Sequence, residues 1–210
     1  MGLNYDYILY FERKHLWDAL AGLIAITDHH EPPTVIQFPD RKLFVPLVCS
    51  PYNKNHFNYD DPEFSFATSI YFDLDTEILD YLRMIGNEDI FRGPPDPDRP
   101  DRVQIGYIYL TIYNDLSSWF LGKKSNDFVF FDFGTTGTKM SLLFDASPSI
   151  RKTFCELLES VPGLYGIFSR EFEGELFWYK GQHVSKNIGK THLLPDELEE
   201  ILNEPWMRNQ

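Results

Sequence analysis

Two cysteines in 210 residues leave little from which to build a disulfide framework. Cys49 and Cys155 stand far apart in apolar surroundings and form no C-x-x-C pair. Two buried free thiols in a reducing compartment are therefore expected. Basic residues are also scarce, 19 Lys and Arg against 32 Asp and Glu, for a formal net charge of -13. Residues 1–105 carry 9 basic and 18 acidic groups, and residues 106–210 carry 10 and 14, so both halves are acidic. Nonspecific nucleic-acid binding needs Lys and Arg to replace phosphate counterions, and no basic stripe is present. The same balance disfavours an anionic membrane surface. No run approaches the ~18 apolar residues of a membrane span. Covalent catalysis has no visible signature, neither a G-x-S-x-G elbow nor an activated cysteine. No cofactor is expected.

Arg13-Lys14-His15 ahead of Leu16 to Ile26 has the superficial form of a signal peptide. Asp18 interrupts the apolar run, a strand-like segment containing Asp6 comes first, and no A-x-A site follows. An internal amphipathic helix explains the stretch better, and the expected location is cytoplasmic.

What the chain has in quantity is apolar and aromatic side chains, 43% and 16% of its residues. That composition belongs to a well-filled core rather than to disorder. Alternation predicts strands at Tyr5–Phe11, Thr34–Phe38, Lys42–Cys49, Phe64–Phe72, Val103–Tyr113, Asp127–Phe133, Thr138–Phe144, Leu164–Phe172 and Glu175–Lys180. Helices are expected over Leu16–Thr27, Thr76–Ile85, the stretch after Pro148 and Pro195 to about Asn203, with a further short helix or turn at Ser117-Ser118-Trp119. Pro51–Pro62, Gly93–Asp101 and Gly181–Thr191 read as loops or irregular segments. This order is not the strict alternation of a doubly wound fold. It predicts an α+β protein with a mixed or mainly antiparallel sheet of about nine strands and three or four helices on one face. Ferredoxin-like βαβ-type units are the natural module. A single compact domain over residues 1–210 is expected, its finer form being two fused βαβ-type modules at about 1–114 and 115–210.

Three strand-to-helix stretches look alike. Ser141-Leu-Leu-Phe-Asp145 precedes Ile150, Phe154 and Leu157, while Ser69-Ile-Tyr-Phe-Asp73 precedes Ile78, Leu82 and Ile85 at the same offsets. Ile8-Leu-Tyr-Phe-Glu12 precedes Trp17, Ala21 and Ile24. Each triplet would share one helix face. Ser147 suits the N-cap of the third helix and Pro148 its first turn.

Two stretches carry candidate chemistry. In Phe131-Asp-Phe-Gly-Thr-Thr-Gly-Thr-Lys-Met-Ser-Leu-Leu-Phe144, the glycines suit a tight hairpin. A Gly-rich turn also presents backbone donors to an anion. The stretch resembles the phosphate-binding hairpin of the sugar kinases in the hexokinase and actin superfamily. That resemblance implies that Asp132 positions metal-bound water and that Thr135, Thr136 and Thr138 lie near phosphate. It covers only this stretch, which begins past the middle of the chain, whereas in that superfamily the hairpin opens a domain. The second stretch is Asp28-His29-His30-Glu31. Imidazole and carboxylate make His29, His30 and Glu31 candidate metal ligands. Neighbouring histidines on an extended loop point opposite ways, however, and His near a helix C-terminus is favoured without any metal.

The function expected from these patterns is binding rather than catalysis, with a protein as partner. A basic partner suits the charge, and self-association through strand edges is open too. Nucleic acid and membrane are not expected partners. The alternative is a small enzyme with a metal- or phosphate-binding pocket near His29/His30/Glu31 or the Asp132 hairpin.

Overall fold

In the computed structural model the described residues are 2–28, 33–49, 55–85, 99, 101–115 and 127–204. They form an α+β fold of eleven strands, five α-helices and one 3-10 turn. Eight strands make one antiparallel sheet in the order β11-β10-β9-β1-β8-β7-β6-β4. These are β1 (Tyr5–Glu12), β4 (Val48–Cys49), β6 (Glu63–Asp73), β7 (Arg102–Tyr113), β8 (Phe128–Gly134), β9 (Gly163–Arg170), β10 (Glu173–Tyr179) and β11 (Gln182–Asn187). A smaller sheet holds β2 (Thr34–Gln37) between antiparallel β3 (Lys42–Val45) and parallel β5 (His56–Asn58). No described helix is long and apolar enough to cross a membrane.

The first strand lies inside the large sheet because both of its faces are apolar. Tyr7, Leu9 and Phe11 join the core under the helices, and Ile8 and Tyr10 join a second core on the opposite face. A strand buried on both faces reads as a continuous apolar run, as Ile8-Leu-Tyr-Phe11 does. Its neighbours β8 and β9 both pair with it antiparallel, so they run parallel to each other across it. The ladder therefore crosses from one half of the chain to the other at β1–β8, β1–β9 and β7–β8.

Four helices cover one sheet face: α1 (Leu16–Ile24), α2 (Thr76–Ile85), α3 (Thr138–Ala146) and α4 (Pro148–Ser160). Asp75 ties two of them together. One of its oxygens accepts from Ile78 N–H at the start of α2, and the other from Ser147 Oγ and Ser149 N–H at the start of α4. Ser147 in turn caps Ile150 N–H. A fifth helix, α5 (Pro195–Asn203), lies on the opposite face with Ile188, Leu193, Leu194 and Leu198. The helices thus occupy both faces, not one.

Several expectations need correction. Thr138–Phe144 is no strand but most of helix α3, so the Gly134–Gly137 hairpin does not form. Strand β8 instead pairs with β1 and β7. Met140, Leu143 and Phe144 are buried at helical spacing while Leu142 is exposed. A short, mostly apolar run such as Met140–Phe144 does not distinguish a strand from a buried helix. The third strand-to-helix copy is therefore helix followed by helix. In the first copy the buried face of α1 is Leu16, Ala19, Leu20 and Leu23, rather than Trp17, Ala21 and Ile24. Gln182–Asn187 is a strand, although its polar residues and flanking glycines read as irregular. His56–Asn58 is a strand within a stretch that reads as loop. The Ser117–Trp119 segment and nearly all of the Pro-rich 93–101 loop lie outside the described residues.

Candidate functional site

Pairing registers lay out the sheet face opposite α1–α4 as rows of side chains. One row runs Ser169, Asp6, Gly134, Tyr109, Ala67 across β9, β1, β8, β7 and β6. The next runs Ile167, Ile8, Asp132, Thr111, Ser65, and the third Tyr165, Tyr10, Phe130, Tyr113, Glu63. The C-terminal segment covers the β9–β1 side of these rows. Tyr165 Oη donates to Leu193 C=O at 2.6 Å, and Tyr10 Oη accepts from Leu193 N–H at 3.3 Å. The cover ends at β8, where His192 lies edge-on to the Phe130 ring at 5.6 Å. Beyond it, among the described residues, no helix covers β7. There Tyr107 and Tyr109 are 56% and 54% exposed.

A bulge shapes this edge of the site. Thr68 pairs with Ile108 and Ile70 with Ile105, so Gly106 and Tyr107 together face Ser69. The extra residue shifts the alternation by one. Val103 and Ile105 before it, and Ile108, Leu110 and Ile112 after it, consequently enter the same helix-side core. Tyr107 takes the left-handed conformation, φ 63°. For a bulky L-residue inside a strand this conformation is strained.

Between the covered and open parts stand two carboxylates. Asp6 leans across Gly134: a Cβ built there would lie 2.9 Å from Asp6 Oδ1. On the other side of Gly134 the same Cβ would lie 3.9 Å from that of Tyr109. Asp132 is two residues along β8 on the same face. Burial, and then the charge of Asp132, push the Asp6 carboxyl up to about 7. One Asp132 oxygen is 3.7 Å from His192 Nε2, too long for a hydrogen bond. Its other oxygen is inaccessible to solvent and accepts no hydrogen bond among the described residues. Burial, then the Asp132 and Glu63 carboxylates, push the Tyr113 phenol up to about 12. Among the described residues the face is thus acidic, aromatic and short of cations.

The structure separates the residues of the phosphate reading. Asp132 lies in this face. Thr135, Thr136 and Thr138 lie at the β8–α3 junction, where their hydroxyls have partners within the chain. Thr135 Oγ1 is 2.7 Å from Ser141 Oγ and accepts from Tyr5 N–H at 3.2 Å. Thr138 Oγ1 accepts from Leu3 N–H at 3.0 Å, and Thr136 Oγ1 reaches Met140 Sδ at 3.6 Å. Ser141 Oγ donates to Leu3 C=O at 2.9 Å. Together these bonds clamp the N-terminal segment to the start of α3. His29, His30 and Glu31 lie outside the described residues. Among the described residues no group of three or more His, Cys, Asp or Glu has the arrangement to hold a metal. Asp6 and Gly134 escaped the sequence reading as site residues, because only the pairing β1-β8-β7 brings them together, while His192 reaches Asp132 from the C-terminal segment.

A second concavity, of about 260 Å³, opens between α2 and α3 and is lined by Tyr81, Met84, Leu142, Leu143 and Ala146, with Glu77, Asp80 and Lys139 at its rim. It is mainly apolar and brings together no such set of unneutralised polar groups. Comparison with known proteins adds no analogy to choose between these surfaces: no family, curated protein or solved structure matches this chain.

Proposed function

We propose that this protein works by binding a basic protein partner through the open part of the sheet face. The observation that carries the reading is the placement of half-exposed Tyr109 in one cross-strand row with Asp6, across Gly134, beside the row that holds Asp132. Aromatic faces and carboxylates are the two groups that attract a cation at short range. The net charge of -13 adds attraction at long range. Self-association fits this face less well, since like charges would meet. The chain with β1 inserted between β8 and β9 supports a ferredoxin-like unit in its C-terminal half, and the open face lies at the border of that unit.

Native mass spectrometry of the protein gently isolated from its own cells tests this function. The expected species is a complex with a second, basic chain, lost as salt rises. It is also expected to be lost in Tyr109→Ser with Asp132→Asn but retained in Met84→Ser on the helix side. A bound ion or nucleotide alone, a homodimer alone, or a complex broken only by Met84→Ser would overturn it.

A further inference from the structure

Where β1 hands over to α1, an arginine stands without a counter-ion. Arg13 and Lys14 belong to the 3-10 turn Arg13–His15 that joins the two elements. Lys14 is ion-paired with Glu12. The half-buried Arg13 side chain has neither an ion pair nor a hydrogen bond among the described residues. Its Nε is shut off from solvent, and its guanidinium lies over the Tyr59 ring, 4.8 Å from the centroid. Acidic side chains outnumber basic ones 32 to 19 in this chain, yet none of those described is placed against it.

Arg13 lines a concavity of about 480 Å³, together with Glu12, Lys14, Tyr59, Asp127 and Phe128. That volume is within the range of small-molecule pockets. Backbone bonds hold its frame. Arg13 N–H donates to Asp127 C=O at 2.7 Å, next to the start of β8. Tyr59 N–H donates to Gln37 C=O at 2.8 Å, and Tyr59 C=O accepts from Nδ2 of the buried Asn114. Asp127 is exposed, and its carboxylate has no ion pair among the described residues. One unpaired cation and one unpaired anion thus border the same space without meeting. We infer that this concavity binds a free α-amino acid, its carboxylate on the Arg13 guanidinium, its ammonium on Asp127 and an apolar or aromatic side chain against Phe128.

The chemistry of the lining selects this ligand class. A guanidinium takes a carboxylate through parallel N–H···O bonds, and stacking on Tyr59 fixes the plane of the fork. Nε is inaccessible, so the ligand meets the terminal nitrogens. A phosphate monoester carries about two negative charges near neutral pH. Glu12, Asp127 and the net charge of -13 repel it. A zwitterion has no net charge and escapes that repulsion, while each of its ends finds an unpaired partner. The half-buried Phe128 adds apolar surface. This site does not depend on the binding face described above. It lies at the Glu12–Phe128 end of the β1–β8 ladder, whereas Tyr109 pairs with Gly134 at the Asp6 end.

Isothermal titration of the intact protein with L-phenylalanine and L-leucine tests the inference. The controls are 3-phenylpropanoate, which lacks the ammonium, 2-phenylethylamine, which lacks the carboxylate, and inorganic phosphate. The expected result is saturable one-to-one binding of at least one amino acid. Phenylalanine, where it binds, should lose about tenfold or more in affinity with either group removed. Arg13→Gln should abolish amino-acid binding. Asp127→Asn should weaken it about tenfold while leaving 3-phenylpropanoate as tight as before or tighter. Asp127 is exposed, so this variant keeps the fold and carries the test if Arg13→Gln does not fold. Four results would each overturn the inference: neither amino acid saturating, either analogue or phosphate binding as tightly as the amino acid, affinity unchanged in Arg13→Gln, or equal weakening of amino acid and 3-phenylpropanoate in Asp127→Asn.

Discussion

The two halves of one sheet face make different use of the same strand chemistry. On the β9–β1 side, Tyr10 and Tyr165 are stacked at 4.2 Å, and their hydroxyls hold the backbone of Leu193. On the β7 side, Tyr107 and Tyr109 are exposed and no described helix packs on them. In the covered half tyrosine is a structural residue with its polar end satisfied inside the fold. In the open half the same residue type presents its ring to solvent. The difference arises from what crosses over the strand, not from the strand itself. Exposed aromatic rings beside under-neutralised carboxylates weaken solubility and stability alike, and such features persist mostly where a site needs them.

The largest expected effect separates the halves directly. Leu198 on α5 is buried against Ile8, Tyr10 and Tyr165 in the second core. Leu198→Ala should cost about 3 kcal/mol in urea unfolding, from lost burial and the cavity left behind. Tyr109→Ala, in the open half, should change stability by less than about 0.5 kcal/mol. Equal costs would mean that the open half is packed in solution and that the contrast is false.

A smaller effect tests the border between them. The Asp6 carboxyl is raised from 3.8 to about 7 by burial and by Asp132. The native state therefore keeps a proton that the unfolded chain has lost across that window. Stability from this group is fully present below about pH 4 and is lost as pH rises through 7. Asp6→Asn keeps the neutral form, so it should stabilise the protein by about 2 kcal/mol at pH 8, the shift being discounted about twofold for partial solvent screening, and hardly at all at pH 4, read from unfolding midpoints at each pH. A pH-independent gain would mean that the Asp6 carboxyl is not raised in the folded protein. The opposite behaviour is found at Glu175, held down to about 2 by the guanidinium of Arg151, which donates to it at 2.6 and 3.0 Å. There a carboxylate has its cation; at Asp6, among the described residues, it has none.

How much of this was legible in the sequence follows from the range of the interactions. Local patterns carried the α+β class, the cap at Ser147, the stripe Ile150–Phe154–Leu157 and the helix that starts at Pro195. They failed at Met140–Phe144, where four apolar residues and a serine suit either period and only packing under the sheet decides. They failed again at Gln182–Asn187, whose strand exists because β10 is beside it. Asp132 stood out by resemblance to a hairpin that does not form, yet it does line the face argued for here. Its partners could not be read: Asp6 and His192 are 126 and 60 residues away from it, and only the insertion of β1 beside β8 and the return of the chain after β11 bring them close.

The smallest expected effect bears on whether the open half is a site at all. Three non-glycine residues have left-handed φ among the described residues: Glu171, Lys180 and Tyr107. Glu171 and Lys180 lie in the β9–β10 and β10–β11 turns, where that conformation is ordinary. Tyr107 alone lies within a strand, at a bulge position that glycine commonly fills. Asparagine tolerates this conformation better than an aromatic residue does. Tyr107→Asn should therefore stabilise the fold by about 0.5–1 kcal/mol while weakening capture of the proposed basic partner. Tyr109→Asn, without the strained backbone, should weaken capture with no gain in stability. If Tyr107→Asn destabilises the fold and leaves capture intact, the tyrosine is there for packing, and the difference between the two halves is one of coverage alone.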